Sequence, residues 1–477
     1  MISGANEAII TTLLSLLFFV ALGIRSSLRT APDEDFWFAH RSLTSDELAT
    51  TWSAGTVAYA VTILYYMQMV SVFGWAIFLI SLLTYLFGQL LFRSAASRVA
   101  ARIDFTTVGQ LVADATGSRR LATLVEIAGL TSVFVLLYLE LLLGVNLAST
   151  LFVSKSPYAE PVLFLLMLAT IFGYVLFGGM RAVVDSDRWQ FRLILCSVAV
   201  LAIYGAILLA NGVAPNWAPA IPYVVWDMKS QDIASFVLFG LAVNTFPLLC
   251  QNSLWQMTTS TLPQDVAEGV KIGIIKSFLI FLVVVIVALI MRGNDQPVRS
   301  SQDLTAAITG LGLVGQHLLF PLLFVGFIAA MISTADNALI ACGVTLRRLL
   351  PESNESDTSP RNLFIGRLRI LGLIALAQVI LFVLFTYAWG RDFQGTFLNL
   401  LFFLFGQAAP LGALVAVIAF YPDNLRQGNV MTIGVTLSWI CGVLAFFVSV
   451  EMAAPKYQFL AAPISVLIAI ASAYRFK

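Results

Sequence analysis

Apolar runs long enough to cross a bilayer recur from one end of this chain to the other, and no other feature constrains its fold as strongly. A helix rises about 1.5 Å per residue, so roughly 20 apolar residues cover a hydrocarbon core of about 30 Å. Runs of that kind lie at about 7–25, 46–72, 74–92, 121–152, 161–178, 189–211, 233–256, 270–291, 315–346, 364–388, 395–420, 429–449 and 457–474. They predict an all-α integral membrane protein with about thirteen transmembrane helices. Composition agrees: 59% of the 477 residues are hydrophobic and 11% are charged, with a mean hydropathy of +0.91. A soluble fold cannot hide that much apolar surface, whereas lipid covers it. The first run is followed by Arg25 and Arg29 and has neither a basic flank before it nor a small-residue cleavage site. It reads as a retained helix rather than a cleaved signal.

Several function classes fall away at this point. A net charge of +1 offers no basic surface for nucleic acid. The four cysteines, Cys196, Cys250, Cys342 and Cys441, all sit in apolar segments, so no disulfide framework is expected. Neither of the two histidines, His40 and His317, sits in a ligand-spaced cluster, so no cofactor and no zinc, haem or redox centre is expected. The longest hydrophilic stretch, 347–362, reads as a surface loop rather than a domain.

Basic residues set the orientation, because Lys and Arg resist translocation. With the N-terminus outside, the alternation of thirteen spans puts 21 of the 27 Lys and Arg on the inner side. Only Lys155, Lys229, Arg292, Arg299, Arg391 and Lys456 fall outside. The expected placement is therefore a multi-pass protein of the plasma (cytoplasmic) membrane, N-terminus out and C-terminus in.

Two spans look broken. The second contains Thr50-Thr51-Trp52-Ser53-Ala54-Gly55-Thr56, polar and small for a lipid-facing helix. The seventh contains Asn244-Thr245-Phe246-Pro247 and then Gln251-Asn252. Proline removes a donor and clashes with the preceding turn, so Pro247 predicts a kink or unwound segment. Interrupted helices five apart are what two inverted five-helix halves with a binding site at the membrane midplane would leave in a sequence.

Polar groups inside the spans carry the chemistry. Ser333, Thr334, Asp336 and Asn337 crowd into five residues of the ninth span. Hydroxyls, carboxylates and backbone carbonyls are the ligands that hard monovalent cations take. Helix–helix hydrogen bonding is the competing reading. A charge placed in a membrane costs about 2.5–3.5 kcal/mol on insertion scales, so Asp336 needs a partner or a purpose. Glu140, mid-way along the fourth span, is a second such acid. It reads as a counter-ion to a cationic or zwitterionic solute, a proton carrier, part of an ion site, or a protonated structural glutamate. The stretch Asp185 to Gln190 reads on its own as a charged interfacial turn with an aromatic anchor.

The order of these segments resembles the sodium:solute symporter family. Phe36 to Leu43 resembles the family's "aGRSL" motif, and Gly178-Gly179-Met180-Arg181-Ala182-Val183 through Asp187 and Gln190 resembles "GGlxAVxxTDxxQ". Trp255-Gln256 with Pro263, Ala267 and Gly269 is similar to the segment after core helix six. Met331 to Asp336 resembles "MSTxDS", and Tyr421-Pro422-Asp423-Asn424 with Gly428 resembles the end of core helix ten. Together these cover about residues 36–430 in the family's order.

The resemblance implies the LeuT architecture. That is a five-plus-five inverted repeat with one extra N-terminal and two extra C-terminal helices. It divides the chain into 1–45, a core of 46–421 (repeats 46–211 and 233–421), and 422–477. It implies a sodium site held from core helix eight by Ala330, Ser333 and Thr334, and from broken core helix one by two carbonyls. Counting from Arg41-Ser42-Leu43 puts those carbonyls at Ala54 and Val57; anchoring on Ser53-Ala54-Gly55 puts them at Thr56 and Tyr59. It further implies an ion exit or second cation position at Asp187, with Asp336 beside it in the motif. Glu140, Gln251, Trp255 and Gln407 become solute-lining candidates. The family's Gly-Pro-rich stretch is replaced by Tyr65-Tyr66-Met67-Gln68, and its "DQ…QR" becomes Cys250-Gln251 and Trp255-Gln256. These departures leave substrate class open, and Glu140 keeps proton coupling in play.

The implied function is a Na+-coupled symporter, not an enzyme, moving a small organic solute by alternating access as a monomer or weak oligomer. A solute sensor without flux and a channel are the rival classes. Glu140 inclines the solute toward a zwitterion or cation.

Overall fold

The computed structural model describes residues 5–27, 33–100, 107–149, 159–217, 232–296, 298, 300–350, 359–388, 393–426, 428–451 and 456–475. Residues 351–358 of the hydrophilic stretch 347–362 lie outside them.

The first helix, α1 (Ala5–Ser27), is followed by the short α2 (Asp33–Phe38). Next come α3 (Ser45–Thr56), a π-helical turn (Tyr59–Leu64) and α4 (Tyr65–Phe73). A capping box starts α3: the Thr44 side chain accepts from the Glu47 amide, and Glu47 accepts from the Thr44 amide. The predicted break in the second span falls just after its polar stretch, at Val57 and Ala58.

Beyond it run α5 (Trp75–Val99), α6 (Val108–Thr116), α7 (Arg119–Ser149) and α8 (Ala159–Ala210). At about 1.5 Å per residue, the 52 residues of α8 are more than twice a bilayer core in length. The helix is kinked at Gly179, where φ is 56° and ψ is −149°, a region only glycine adopts readily. The Phe36 carbonyl of α2 packs where a Cβ would stand. The stretch Asp185 to Gln190, expected as an interfacial turn, is helical. The turn is made earlier, by Gly179.

The seventh span is α9 (Asp232–Thr245), α10 (Pro247–Cys250) and α11 (Asn252–Thr259). Pro247 heads α10, where its missing N–H costs nothing. The sharp bend, 44°, lies further on at Gln251, whose backbone is extended. Then follow α12 (Pro263–Gly293), α13 (Ser301–Thr309), α14 (Gly312–Val314) and α15 (Phe320–Leu349). The chain continues through α16 (Pro360–Val383), α17 (Phe393–Phe420), α18 (Asn429–Glu451) and α19 (Lys456–Ala473).

Among the described residues, nine helices are long and apolar enough to cross a membrane, or ten if the pair bent at Gln251 is one crossing. The helix α15 is central: 89% of its most apolar window is buried, against 22% for α1, α16 and α18. It packs against α7, α8 and α3, while outward faces such as Leu14, Leu17, Leu376 and Phe447 stay exposed, as lipid contact requires.

Candidate ion and solute site

On α15, Ala330, Ser333, Thr334 and Asn337 follow one another at helical spacing and share a face. All four are buried. The Thr334 hydroxyl lies 3.2 Å from the Gly55 carbonyl and 3.2 Å from that of Ala330, and donates its one proton between them.

The break in α3 explains why a carbonyl is waiting there. A helix leaves its last four carbonyls without intrahelical partners. The α3 ladder ends with the Val57 amide on the Ser53 carbonyl, and the next backbone bond runs from Ile63 to Ala58. Gly55 takes Thr334, and the Thr56 carbonyl accepts from the Thr62 hydroxyl at 2.8 Å. None of these bonds uses the carbonyls of Ala54 and Val57. Of the alternative pair, the Thr56 carbonyl already accepts from Thr62, while Tyr59 opens the π-helical turn and its phenol donates to Ser301 at 2.6 Å.

Ser333 turns the other way. Its hydroxyl donates to Asp187 Oδ1 at 2.5 Å. The Asn337 amide nitrogen lies 3.3 Å from Asp187 Oδ2, 3.3 Å from Asp336 Oδ1 and 2.8 Å from the Ser333 carbonyl. The Tyr174 hydroxyl donates to Asp336. Both carboxyls are wholly buried, and neither forms an ion pair among the described residues. Two acids joined by one amide need a compensating cation or a proton. Thr51 is buried beside Asp187, and the Gln190 amide beside Asp336 and Tyr174.

Next to Thr334 and Gly55 lies a cavity of about 80 Å³. Its walls come from both broken spans and from α5, α7 and α17. They include Gln251, Asn244, Tyr66 and Phe239. Of the four solute-lining candidates, only Gln251 lines it. Glu140 is wholly buried on α7 and interacts electrostatically with Tyr59. Trp255 donates to the Leu249 carbonyl at 2.7 Å, with its ring against Phe92. Gln407 donates to Ser132 at 2.7 Å and to the Ala128 carbonyl at 3.1 Å, and accepts from Trp439. These three do not line this cavity: Trp255 lies beyond the break at Gln251, and Trp439 of α18 packs on Gln407.

The opposite end is pinned. Glu47, at the start of α3, accepts from Arg181 at 2.8 Å and Arg188 at 2.7 Å, both just past the Gly179 turn. Asn252 of α11 donates to Thr345 of α15 at 2.8 Å. Sequence reasoning missed both ties, as well as Tyr174. The signal for Tyr174 was a phenol in an apolar run, which has to find a partner.

Neither a family model nor a curated protein matches this sequence. Solved structures do. A Na+-coupled sialic acid symporter, in a substrate-bound outward-open state with a novel Na+ site, aligns over 98% of this chain and 99% of its own. The TM-score is 0.73 at 13% identity. The chain has the LeuT-type transporter fold. MhsT in complex with L-phenylalanine aligns over 90% of this chain and 98% of its own, at TM-score 0.55 and 15% identity. Mhp1, a nucleobase-cation-symport-1 family transporter in a closed conformation with bromovinylhydantoin bound, aligns over 93% and 94%, at 0.51 and 16%. The five-helix offset between the two breaks, legible in the sequence, thus belongs to a fold built on that repeat.

Proposed function

We propose that this chain is a Na+-coupled secondary symporter of a small organic solute, working by alternating access in the plasma membrane. One observation carries this reading: the Thr334 hydroxyl meets the Gly55 carbonyl at the α3 break, and Thr334 and Gly55 both wall the cavity. An ion held by Ala54, Val57, Ala330 and Thr334, with Ser333 turning in from Asp187, would tie α15 to the broken helix. It would stabilise the state in which the cavity is formed. Coupling requires such a difference in affinity between states. At about 2.3 kcal/mol per charge per 100 mV, one Na+ supports substantial accumulation. Asp187 and Asp336 stand behind the site as an exit or second cation position.

The same reading counts thirteen crossings, with α8 as two, α3 with α4 as one and α19 as one. The N-terminus is outside, the C-terminus inside, and the protein is a monomer or weak oligomer. Its core is 46–421, flanked by 1–45 and 422–477. The test is uptake into proteoliposomes with and without an inward Na+ gradient. Saturable flux that needs the gradient and is lost in Thr334→Ala supports the reading; binding without flux would make the chain a sensor. A second reading, proton coupling, is favoured by the Tyr174–Asp336–Asn337–Asp187 chain. Flux driven by a pH gradient in Na+-free buffer would establish it.

A further inference from the structure

We infer that the solute is uncharged, with its polar head on the Gln251 amide and its apolar body among the aromatic rings of the cavity. This rests on the symporter reading and adds the substrate class. Among the described residues, the cavity wall carries no Asp, Glu, Lys, Arg or His. The sequence's own nominee for a counter-ion, Glu140, is not part of the wall and is buried beside Tyr59.

A charged solute would therefore need its counter-charge from elsewhere. An anion could draw on the coupling ion at Thr334, but that ion already has a carboxylate at hand. Asp187 lies 2.5 Å from Ser333, the residue next to Thr334, and Asp336 is bridged to Asp187 through Asn337. With the Asp187 carboxylate behind Ser333, that cation would present no net positive charge to the cavity. A cationic solute would have only ring faces, worth about 0.5–2 kcal/mol. Burying an ion costs several kcal/mol, so the rings do not recover the loss.

What the wall offers suits a neutral molecule. Tyr65, Tyr66 and Tyr85 come from α4 and α5, and Phe239 and Phe405 from α9 and α17. Most of its polar side chains are already committed: Asn244 donates to Thr84 at 2.9 Å, Thr62 to the Thr56 carbonyl, and Ser132 receives Gln407. Gln251 differs. It is partly exposed at the 44° bend, and its amide makes no side-chain hydrogen bond among the described residues. An amide offers one acceptor and two donors and matches a neutral carbonyl, amide or hydroxyl.

The experiment is thermal unfolding of the purified full chain in detergent, in Na+ or in K+, with two matched trios of probes. One is benzamide, benzoate and benzylammonium; the other is glucose, gluconate and glucosamine. The expected result is Na+-dependent stabilisation by at least one neutral member, with its charged analogues weaker by about tenfold or more in half-saturating concentration. In Gln251→Glu the order should move toward the ammonium probe of the same trio. A charged member binding as tightly as its neutral analogue overturns the inference, and so does stabilisation by neither neutral member. Na+ alone, on wild type and Thr334→Ala, reports the ion site separately. A flat response in that arm is a failure of the symporter reading, whereas a normal response beside charged-probe binding is a failure of this inference.

Discussion

The Thr334 hydroxyl lies 3.2 Å from the Gly55 carbonyl, joining residues 279 positions apart in the chain. One belongs to the most buried of the long apolar helices among the described residues, the other to the last turn of a helix that stops short. A movement of α3 relative to α15 must stretch or break this contact, so an ion placed beside it senses that movement directly.

Replacing Thr334 by Ala removes one oxygen from the proposed ion shell and leaves the helix intact. The apparent Na+ affinity should fall by about tenfold or more, as for loss of a charge-assisted contact of about 1.5–3 kcal/mol, while Thr334→Ser retains most of it. Intrinsic fluorescence during a Na+ titration at constant ionic strength checks this. Trp52, one of nine tryptophans, sits one turn before the break. Equal Na+ responses in wild type and Thr334→Ala would remove Thr334 from the site.

Tyr174→Phe takes away the hydroxyl that Asp336 accepts from and leaves the ring packing in place. A buried carboxyl short of one partner should lower stability by about 1–3 kcal/mol. Adding Asp336→Asn to Tyr174→Phe should recover part of the loss, because the charge that needed the hydroxyl is gone. Thermal unfolding of the two single variants and the double variant decides it, and strictly additive losses would show that the two residues act independently.

Glu47→Gln weakens the ties to Arg181 and Arg188 that hold the start of α3 against the Gly179 turn. The population opened at that end should rise several-fold if the ties contribute about 1 kcal/mol between two states. With the exposed thiols Cys196 and Cys441 replaced by Ser, a cysteine put at the buried Thr258 should then react faster with a maleimide. Unchanged labelling would make the ion pairs a static brace.

Gly179→Ala should be among the most damaging substitutions outside the site. It forces a side chain into a glycine-only conformation, with the Phe36 carbonyl where its Cβ would stand. Strain of about 1–3 kcal/mol, plus the clash, should show as lost folded yield and a lower unfolding temperature. A variant as stable as wild type would mean that the turn can be made another way.

Membrane placement, the long apolar helices, the two interruptions five spans apart and the polar patch on α15 were legible in the chain, for a local reason. Length, hydropathy and spacing along one helix depend only on neighbouring residues, so Ser333, Thr334, Asp336 and Gln251 could be picked out without coordinates. Which way each side chain faces could not. Glu140, as an intramembrane acid, and Gln407, through the resemblance, were both solute-lining candidates, yet one is buried beside Tyr59 and the other is held by Ser132 and Trp439. The further 44° bend at Gln251, beyond the interruption at Pro247, and the joining of Asp187 to Ser333 and of Tyr174 to Asp336, arise from packing between segments distant in sequence. Only the tertiary structure decides those, because a polar group in a membrane takes whichever partner the neighbouring helix brings within hydrogen-bond reach.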